Sequence, residues 1–278
     1  MKPIEIFKEK DALFFDMSYV IFYRYYASLA WYKINNKDTE IDIAGLITNS
    51  LFIEKYEKML LKCIEDLMNK YQIDPTSVYL VMDGPRANIW RQQYYDGYKG
   101  TRDEKSRSLN KDIFACTYET ILPKLLSKYP MQTVKSDGLE ADDIIAIMSK
   151  IIKARAPANK RYIITNDNDY IQLCIDDDNM MIVNLQGIAI KDRVGQEPER
   201  YLKLKVLMGD KSDNIPSIAK KVGPKTALKF VNSPELLTQF FEKHPSAKAQ
   251  YELNALLIDF NKIPEKLKLE FETNIIIV

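Results

Sequence analysis

The sequence predicts an α/β fold built on a parallel sheet, followed by an all-helical stretch. Three observations carry this reading. Short apolar runs recur through the first two thirds of the 278 residues, and each is continuous and not alternating, the pattern of strands buried on both faces. Segments with apolar residues at helical spacing separate several of these runs, so helices are expected to cover the sheet. Beyond about residue 197 the alternation stops and only helical patterns remain.

Taken in order, Ala12-Leu13-Phe14-Phe15 is the first strand run, and it ends at Asp16. A helix is expected over about 45–71, where Leu51, Tyr56, Met59, Leu60, Cys63, Ile64 and Leu67 form a stripe with Glu and Lys opposite. Val78–Met82 is a second strand run, ending at Asp83. After a further strand, Gly138-Leu139-Glu140-Ala141-Asp142-Asp143 opens a long helix whose buried face is marked by Ile144, Ile147, Met148, Ile151 and Ile152. Tyr162–Thr165 leads into Asn166-Asp167-Asn168-Asp169, and Met180–Asn184 follows the acidic turn Asp176–Asp178. Helices are then expected over 198–208, from Gly223-Pro224 onward, and over about 234–243 and 247–258; proline suits a first helical position. The apolar tail Ile275–Val278 fits an edge strand. With no Pro/Gly/Ser-rich linker in view, two tightly joined units are expected, 1–197 and 198–278.

Composition narrows the chemistry. Hydrophobic residues make up 46%, enough for a substantial core, and the net charge is +1. The N-terminal residues contain no apolar signal segment, and no apolar run reaches membrane-spanning length. A cytoplasmic, non-secreted, membrane-free monomer is therefore expected (in the host cytoplasm if the source is viral). The three cysteines Cys63, Cys116 and Cys174 are widely spaced, which argues against a zinc site or a disulfide framework. The single histidine, His244, lies in a charged stretch near the C-terminus. Ser-His-Asp triads and His-ligated metallohydrolases are thereby excluded.

What remains is carboxylate chemistry. Asp16, Asp83 and Asp167/Asp169 each lie at or just past the C-terminal end of an expected strand, and Glu140, Asp142 and Asp143 crowd the first turn of a helix. Acids near a helix start can be simple capping. Acids from four segments on one sheet edge are another matter, because open α/β sheets carry their functional crevice outside the carboxyl ends of the strands. Like charges so placed need a neutraliser. An all-oxygen donor set without His or Cys suits a hard divalent cation, Mg²⁺ or Mn²⁺.

Basic patterns flank these acids. From Gly84 to Arg107, Arg86, Arg91, Lys99, Arg102, Lys105 and Arg107 interleave with Trp90, Tyr94, Tyr95 and Tyr98. That is compatible with a solvated basic helix or with a surface that tracks phosphates and stacks bases. Around the helix start at Gly223-Pro224 stand Lys220, Lys221, Lys225, Thr226 and Lys229, a ready phosphate site.

In these residues the chain resembles the flap endonuclease-like 5′-nucleases. Phe14-Phe15-Asp16 and Val81-Met82-Asp83 are similar to that family's first acidic strand ends, and Tyr98-Lys99-Gly100-Thr101-Arg102 to its basic arch-entry motif. Gly138–Asp143, Thr165–Asp169 and Gly209-Asp210-Lys211-Ser212-Asp213-Asn214 complete the set, in the family's order. The chain length and Leu256–Phe260 look most like stand-alone bacteriophage enzymes, including those called phage ribonuclease H.

The resemblance implies a PIN-like nuclease core, an arch segment over about 84–110, and a C-terminal helix–three-turn–helix module gripping duplex DNA. By motif, Asp16, Asp83, Glu140 and Asp142 would hold one Mg²⁺, which Mn²⁺ can replace, while Asp143, Asp167, Asp169 and Asp213 would serve a second ion with Asp210 nearby. One ion would generate the nucleophilic water and the other would stabilise the leaving 3′-oxyanion. Lys99 and Arg102 would contact the scissile phosphate and Tyr98 would stack on the terminal base. Arg86, Arg91, Lys220, Lys221, Gly223, Lys225 and Thr226 would contact DNA. Setting those nine acids against metal leaves 30 of 39 acidic residues facing 40 basic ones, an excess of +10 for a DNA face.

The implied activity is 5′→3′ exonuclease or flap endonuclease cleavage of DNA and RNA-primed DNA in replication or repair. Its substrates would carry a 5′ flap, a nick, a 5′ end or an RNA:DNA hybrid, with a single-strand-binding protein or sliding clamp as partner. One departure from the family stands out: its Gly-hydrophobic-Gly hairpin is Lys221-Val222-Gly223 here, with Ser217 at an upstream position where Gly is common. Lysine is disfavoured where φ is positive, so a remodelled loop is expected, and the K⁺ site that family loops often build there is in question. Two rival readings share the acids. A PIN-like single-strand ribonuclease gives no reason for the lysine-rich hairpin, and a non-catalytic DNA-junction binder gives no reason to keep all nine acids.

Overall fold

The protein is described by a computed structural model over residues 3–37, 40–101, 109 and 111–278. Among these residues the centre is a five-stranded, all-parallel sheet. Its strands are β2 (Ala12–Asp16), β3 (Val78–Val81), β4 (Gln132–Val134), β5 (Arg161–Ile164) and β6 (Met180–Val183), in the spatial order β4-β3-β2-β5-β6. The continuous apolar runs become strands because both faces are covered. Phe14, Tyr79, Val81, Ile163 and Ile182 face the helix Ala141–Arg155 and the segment 260–271. Leu13, Phe15, Val78, Leu80 and Ile164 face the helices Met17–Asn35, Ser50–Lys70 and Leu122–Lys128.

The helix Met17–Asn35 has no counterpart among the expected elements. It carries Tyr and Phe around much of its circumference and few charges, so no polar face separates from an apolar one. Its start is set by Asp16, whose side chain accepts the Tyr19 N–H. The helix expected over 45–71 is a short 3₁₀ turn, Gly45–Thr48, followed by Ser50–Lys70.

The order reverses at β2, whose neighbours β3 and β5 lead to opposite edges. Strand register aligns the ends there: Asp16 pairs with Val81, and Phe15 with Ile164. Asp83 and Asp167 follow within two or three residues, so all three acids leave the sheet at one edge. Gly84 brings the chain hard against the 136–139 loop. A Cβ there would lie 2.5 Å from the Ser136 carbonyl oxygen and 2.7 Å from that of Leu139, so only glycine allows Asp83 to approach the helix start at Ala141.

The helical region comprises Pro198–Met208, Pro224–Asn232, Pro234–Lys243 and Pro245–Ile258. Leu204, Leu207, Ile218, Val222, Ala227 and Phe230 form its core. The chain then returns to the sheet. Phe260, Ile263 and Phe271 join the core that holds Phe14, and β7 (Ile275–Ile277) pairs in parallel with β1 (Ile4–Ile6). The tail thus docks as the edge strand its composition suggests. No helix among the described residues is long and apolar enough to cross a membrane. Arg102, Lys105 and Arg107, and with them part of the arch segment, lie outside the described residues.

Candidate metal centre

Acids from every predicted segment meet at the carboxyl edge of the sheet. A cleft of ≈ 860 Å³ is lined there by Asp16, Asp83, Glu140, Asp142, Asp167, Asp169 and Asp210, together with Lys99 and Lys205. Local structure fixes each acid. Asp16 accepts from Thr165 Oγ1 at 3.1 Å and from the Tyr170 phenol at 3.4 Å. Asp83 accepts from Ser18 Oγ at 2.5 Å and, through its other oxygen, from the Ala141 N–H at 2.9 Å. The second contact ties β3 to the start of the helix that carries Asp142. Asp167 caps the turn Asn168–Cys174 by accepting the Asp169 N–H at 2.9 Å.

Among the described residues, acids form two groups whose oxygens lie within 4.8 Å of one another: Glu140, Asp142 and Asp143, and Asp169, Asp210 and Asp213. Lys99 stands between them. Its Nζ is 2.5 Å from Glu140 Oε1 and 3.9 Å from Asp213 Oδ2. The backbone holds it there in a left-handed conformation, φ 55°, with its N–H donated to the Asp213 carbonyl at 2.9 Å. Asn214 Nδ2 donates to the Gly97 carbonyl and the Tyr95 phenol donates to the Asn214 carbonyl, lacing the 95–100 segment to the 209–215 loop.

Charge in the cluster is unevenly compensated. Burial alone would raise the Glu140 carboxyl, but the Lys99 ammonium and the Arg91 guanidinium outweigh it and hold it at about 2. Asp210 is likewise held at about 2, with burial opposed by Lys205 and by hydrogen bonds from Ser212. Other carboxyls go the opposite way. Burial, then the Asp83 charge, pushes Asp16 up to about 7. Asp142 is raised by burial and then by Asp143, and Asp167 is raised chiefly by burial. All three line the cleft.

A profile describing the 5′-3′ exonuclease N-terminal resolvase-like domain matches residues 11–202. The chain belongs to this 5′-3′ exonuclease family. DNA polymerase I of Lactococcus lactis is 28% identical over 224 residues, 77% of this chain and 24% of the relative. A 5′-3′ exonuclease of Buchnera aphidicola is 31% identical over 175 residues, 61% of this chain and 56% of the relative. The chain therefore spans about a quarter of the polymerase relative and little more than half of the exonuclease. Among solved structures, a bacteriophage T5 flap endonuclease in a pseudo-enzyme-product complex with DNA and metal ions superposes with a TM-score of 0.66 at 16% identity, covering 95% of this chain and 97% of the other. A T5 5′-exonuclease with bound zinc gives a TM-score of 0.63 at 18% identity, covering 95% and 98%. At such identities the likeness is one of fold.

Within this 5′-3′ exonuclease domain, three residues stand apart from their expected roles. Arg91, expected on the DNA face, is 2% exposed. Its guanidinium makes a bidentate pair with Asp143 at 2.8 Å, reaches Glu140 at 2.9 Å, and donates from Nε to the Leu257 carbonyl at 2.8 Å. Asp143, expected as a ligand of the second ion, is fully buried and also accepts from Trp90 Nε1 and the Glu140 N–H. Four donors already occupy its oxygens, so it organises the cluster from behind. Tyr98, expected to stack on a base, is 3% exposed, and its phenol donates to Glu140 at 2.8 Å.

The other expected DNA contacts are on the surface. Arg86 is exposed and donates to the Lys99 carbonyl. Lys220, Lys221 and Lys225 are exposed and Thr226 is half-buried around the helix start capped by Gly223, away from the acidic cleft. Lys221 takes φ 70°, a left-handed conformation adopted here without glycine at a cost of roughly 1–2 kcal/mol. Three side chains at the site carry no role predicted from the sequence. Lys205 sits between Asp169 and Asp210, and as one lysine on a charged helix it gave no signal. Thr165 and Tyr170 orient Asp16.

Proposed function

We propose that this chain is a divalent-metal-dependent 5′-nuclease that hydrolyses phosphodiester bonds of DNA and RNA-primed DNA at a 5′ flap, nick or 5′ end. The observation that carries the reading is the convergence of Asp16, Asp83, Glu140 and Asp142 from separate segments on one cleft beside Lys99, in a chain of the 5′-3′ exonuclease family. The donor set fits hard cations: it offers carboxylate oxygens only, those of Asp169, Asp210 and Asp213 lying within 4.8 Å of one another, while Asp16 and Asp142 are pushed up first by burial and then by neighbouring acids.

Asp16, Asp83, Glu140 and Asp142 would hold one Mg²⁺, and Asp167, Asp169, Asp210 and Asp213 a second. When bound, such ions supply a nucleophilic water at neutral pH and stabilise the leaving oxyanion. The chain's own residues do the rest. Thr165 and Tyr170 aim the Asp16 carboxylate, while the buried Arg91–Asp143 pair holds Glu140 in place. Lys99 exchanges Glu140 for the scissile phosphate and stabilises the charge that develops there. The helices Pro198–Met208 and Pro224–Asn232, with the loop between them, act as a helix–three-turn–helix module. Its exposed Lys220, Lys221 and Lys225 meet the duplex backbone at a helix N-terminus. The T5 flap endonuclease of similar fold was solved with DNA and metal ions, which supports both assignments.

The test is direct. Labelled 5′-flap, nicked and RNA:DNA substrates are incubated with Mg²⁺, Mn²⁺ or EDTA. Cleavage from the 5′ side in either metal, lost in EDTA and in Asp142→Asn, is expected. Cleavage that survives Asp142→Asn, or no cleavage of any of the three substrates, refutes the assignment.

A further inference from the structure

Each of the two acidic groups contains a lysine, and the two lysines are placed differently. Lys99 arrives on an excursion from the chain and bridges both groups. Lys205 comes from within the helix Pro198–Met208, one turn before the tight turn at Gly209. A Cβ at Gly209, whose φ is 71°, would lie 2.3 Å from the carbonyl oxygens of Ile215 and Pro216. That turn therefore fixes Asp210 beside the end of the helix. The Asp210 carboxylate is then divided: Oδ1 accepts from Ser212 N–H and Oγ, both at 2.7 Å, while Oδ2 faces Lys205 Nζ at 2.7 Å. The same ammonium contacts Asp169 Oδ1. Its side chain is 13% exposed.

We propose that Lys205 is a tethered cation occupying the second metal position, so that the second divalent ion binds only by displacing its ammonium from Asp169 and Asp210. The inference rests on the metal-nuclease reading above. It follows from geometry: the oxygens that Lys205 contacts belong to the three carboxylates grouped closely enough to share an ion, and an ammonium and a divalent ion cannot occupy the same space between them. Displacement is within reach of a lysine, whose four-carbon stem can swing its charge toward the cleft. The second site is therefore weaker than the first, and its occupancy is set by ambient divalent concentration.

Manganese binding to the whole chain, followed by electron paramagnetic resonance without substrate, reads this independently of activity. The wild type is expected to bind one Mn²⁺ tightly and a second at least about 10-fold more weakly, given the unit charge the second must displace. Lys205→Met keeps the apolar stem and removes the charge. It should strengthen the weak site about 10-fold or more and leave the tight site unchanged, whereas Lys205→Arg should leave the weak site weak. Lys205→Gln serves as a second neutral variant if Lys205→Met does not fold. A weak site unchanged or weakened in a natively folded neutral variant overturns the proposal, as would two equal sites in the wild type. Failure of the wild type to bind any Mn²⁺ would instead sink the metal-nuclease reading itself.

Discussion

Replacing Arg91 by Met separates a buried organising arginine from a phosphate-binding one. The guanidinium is 2% exposed and is shared between Asp143 and Glu140, themselves 0% and 8% exposed. Removing one partner of such a pair leaves a carboxylate buried without its counter-charge, which costs about 3–5 kcal/mol. Loss of the Nε bond to the Leu257 carbonyl adds about 1 kcal/mol. With a urea slope of roughly 3 kcal/mol per molar for a chain of this size, the unfolding midpoint should fall by about 1–2 M. A cycle with Asp143→Asn should show strong coupling, because the two side chains share two hydrogen bonds.

Duplex binding supplies the counter-measurement. A phosphate contact removed by mutation lowers the slope of log K against log salt by about 0.9. Arg91→Met should leave that slope unchanged at temperatures where the variant is folded. If the urea midpoint of Arg91→Met matched wild type while the salt slope fell by that amount, the buried-pair argument would be wrong and Arg91 would belong to the DNA face.

Three further outcomes are expected. Asp16→Asn and Asp142→Asn should each lower cleavage in Mg²⁺ by about a thousandfold or more, with duplex affinity measured in Ca²⁺ within a few-fold of wild type; comparable loss of both would argue for a structural role. Lys99→Ala should slow turnover by about 10²–10³-fold with little change in KM, whereas a rise in KM alone would mean that Lys99 only holds substrate. Stability without metal should fall as pH rises from about 4 to 7, because folded Asp16 keeps its proton up to about 7 while the unfolded carboxyl loses it near 3.8. Glu140 and Asp210, held at about 2, stay ionised in both states above pH 5 and add no slope there. Thermal melts at pH 5 and 8 in EDTA check the sign, and saturating Mg²⁺ should flatten the dependence; metal-free stability that rises with pH would refute it.

The fold was legible wherever a local pattern had one physical meaning. Continuous apolar runs such as Val78–Val81 and Tyr162–Ile164 can be satisfied only by burial on both faces, and proline at a first helical position located the start of Pro224–Asn232. The helix Met17–Asn35 was not legible, because tyrosines serve equally in a core, at its rim and on a surface: Tyr25 is buried while Tyr23 is 37% exposed on the same helix. Arg91 and Tyr98 were misread for a related reason. Basic and aromatic residues in alternation describe a DNA-binding face, but they also describe a buried ion pair with its aromatic walls, and Arg91 does pack over the rings of Trp90 and Tyr98. What decides between the two is the presence of Glu140 and Asp143 some fifty residues later in the chain, a long-range fact that no local spacing encodes.

That pairing also changes how the acids divide. The family resemblance implies a split with Asp143 on one ion and Glu140 and Asp142 on the other. In the structure Arg91 neutralises Asp143 and shares Glu140 with Lys99, and Lys205 neutralises Asp169 and Asp210. The carboxyls left to rise are Asp16, Asp142 and Asp167, one from each of three separate segments and all facing the cleft. A protein selected only for stability would have no use for carboxyls whose ionisation it opposes. The fixed cation stands behind the cluster and the two movable ones stand within it. Burial therefore opposes ionisation where the incoming ions would bind, at Asp16 and Asp142 for the first and at Asp167 for the second, and the two lysines are the groups able to yield, Lys99 to the phosphate and Lys205 to the second ion.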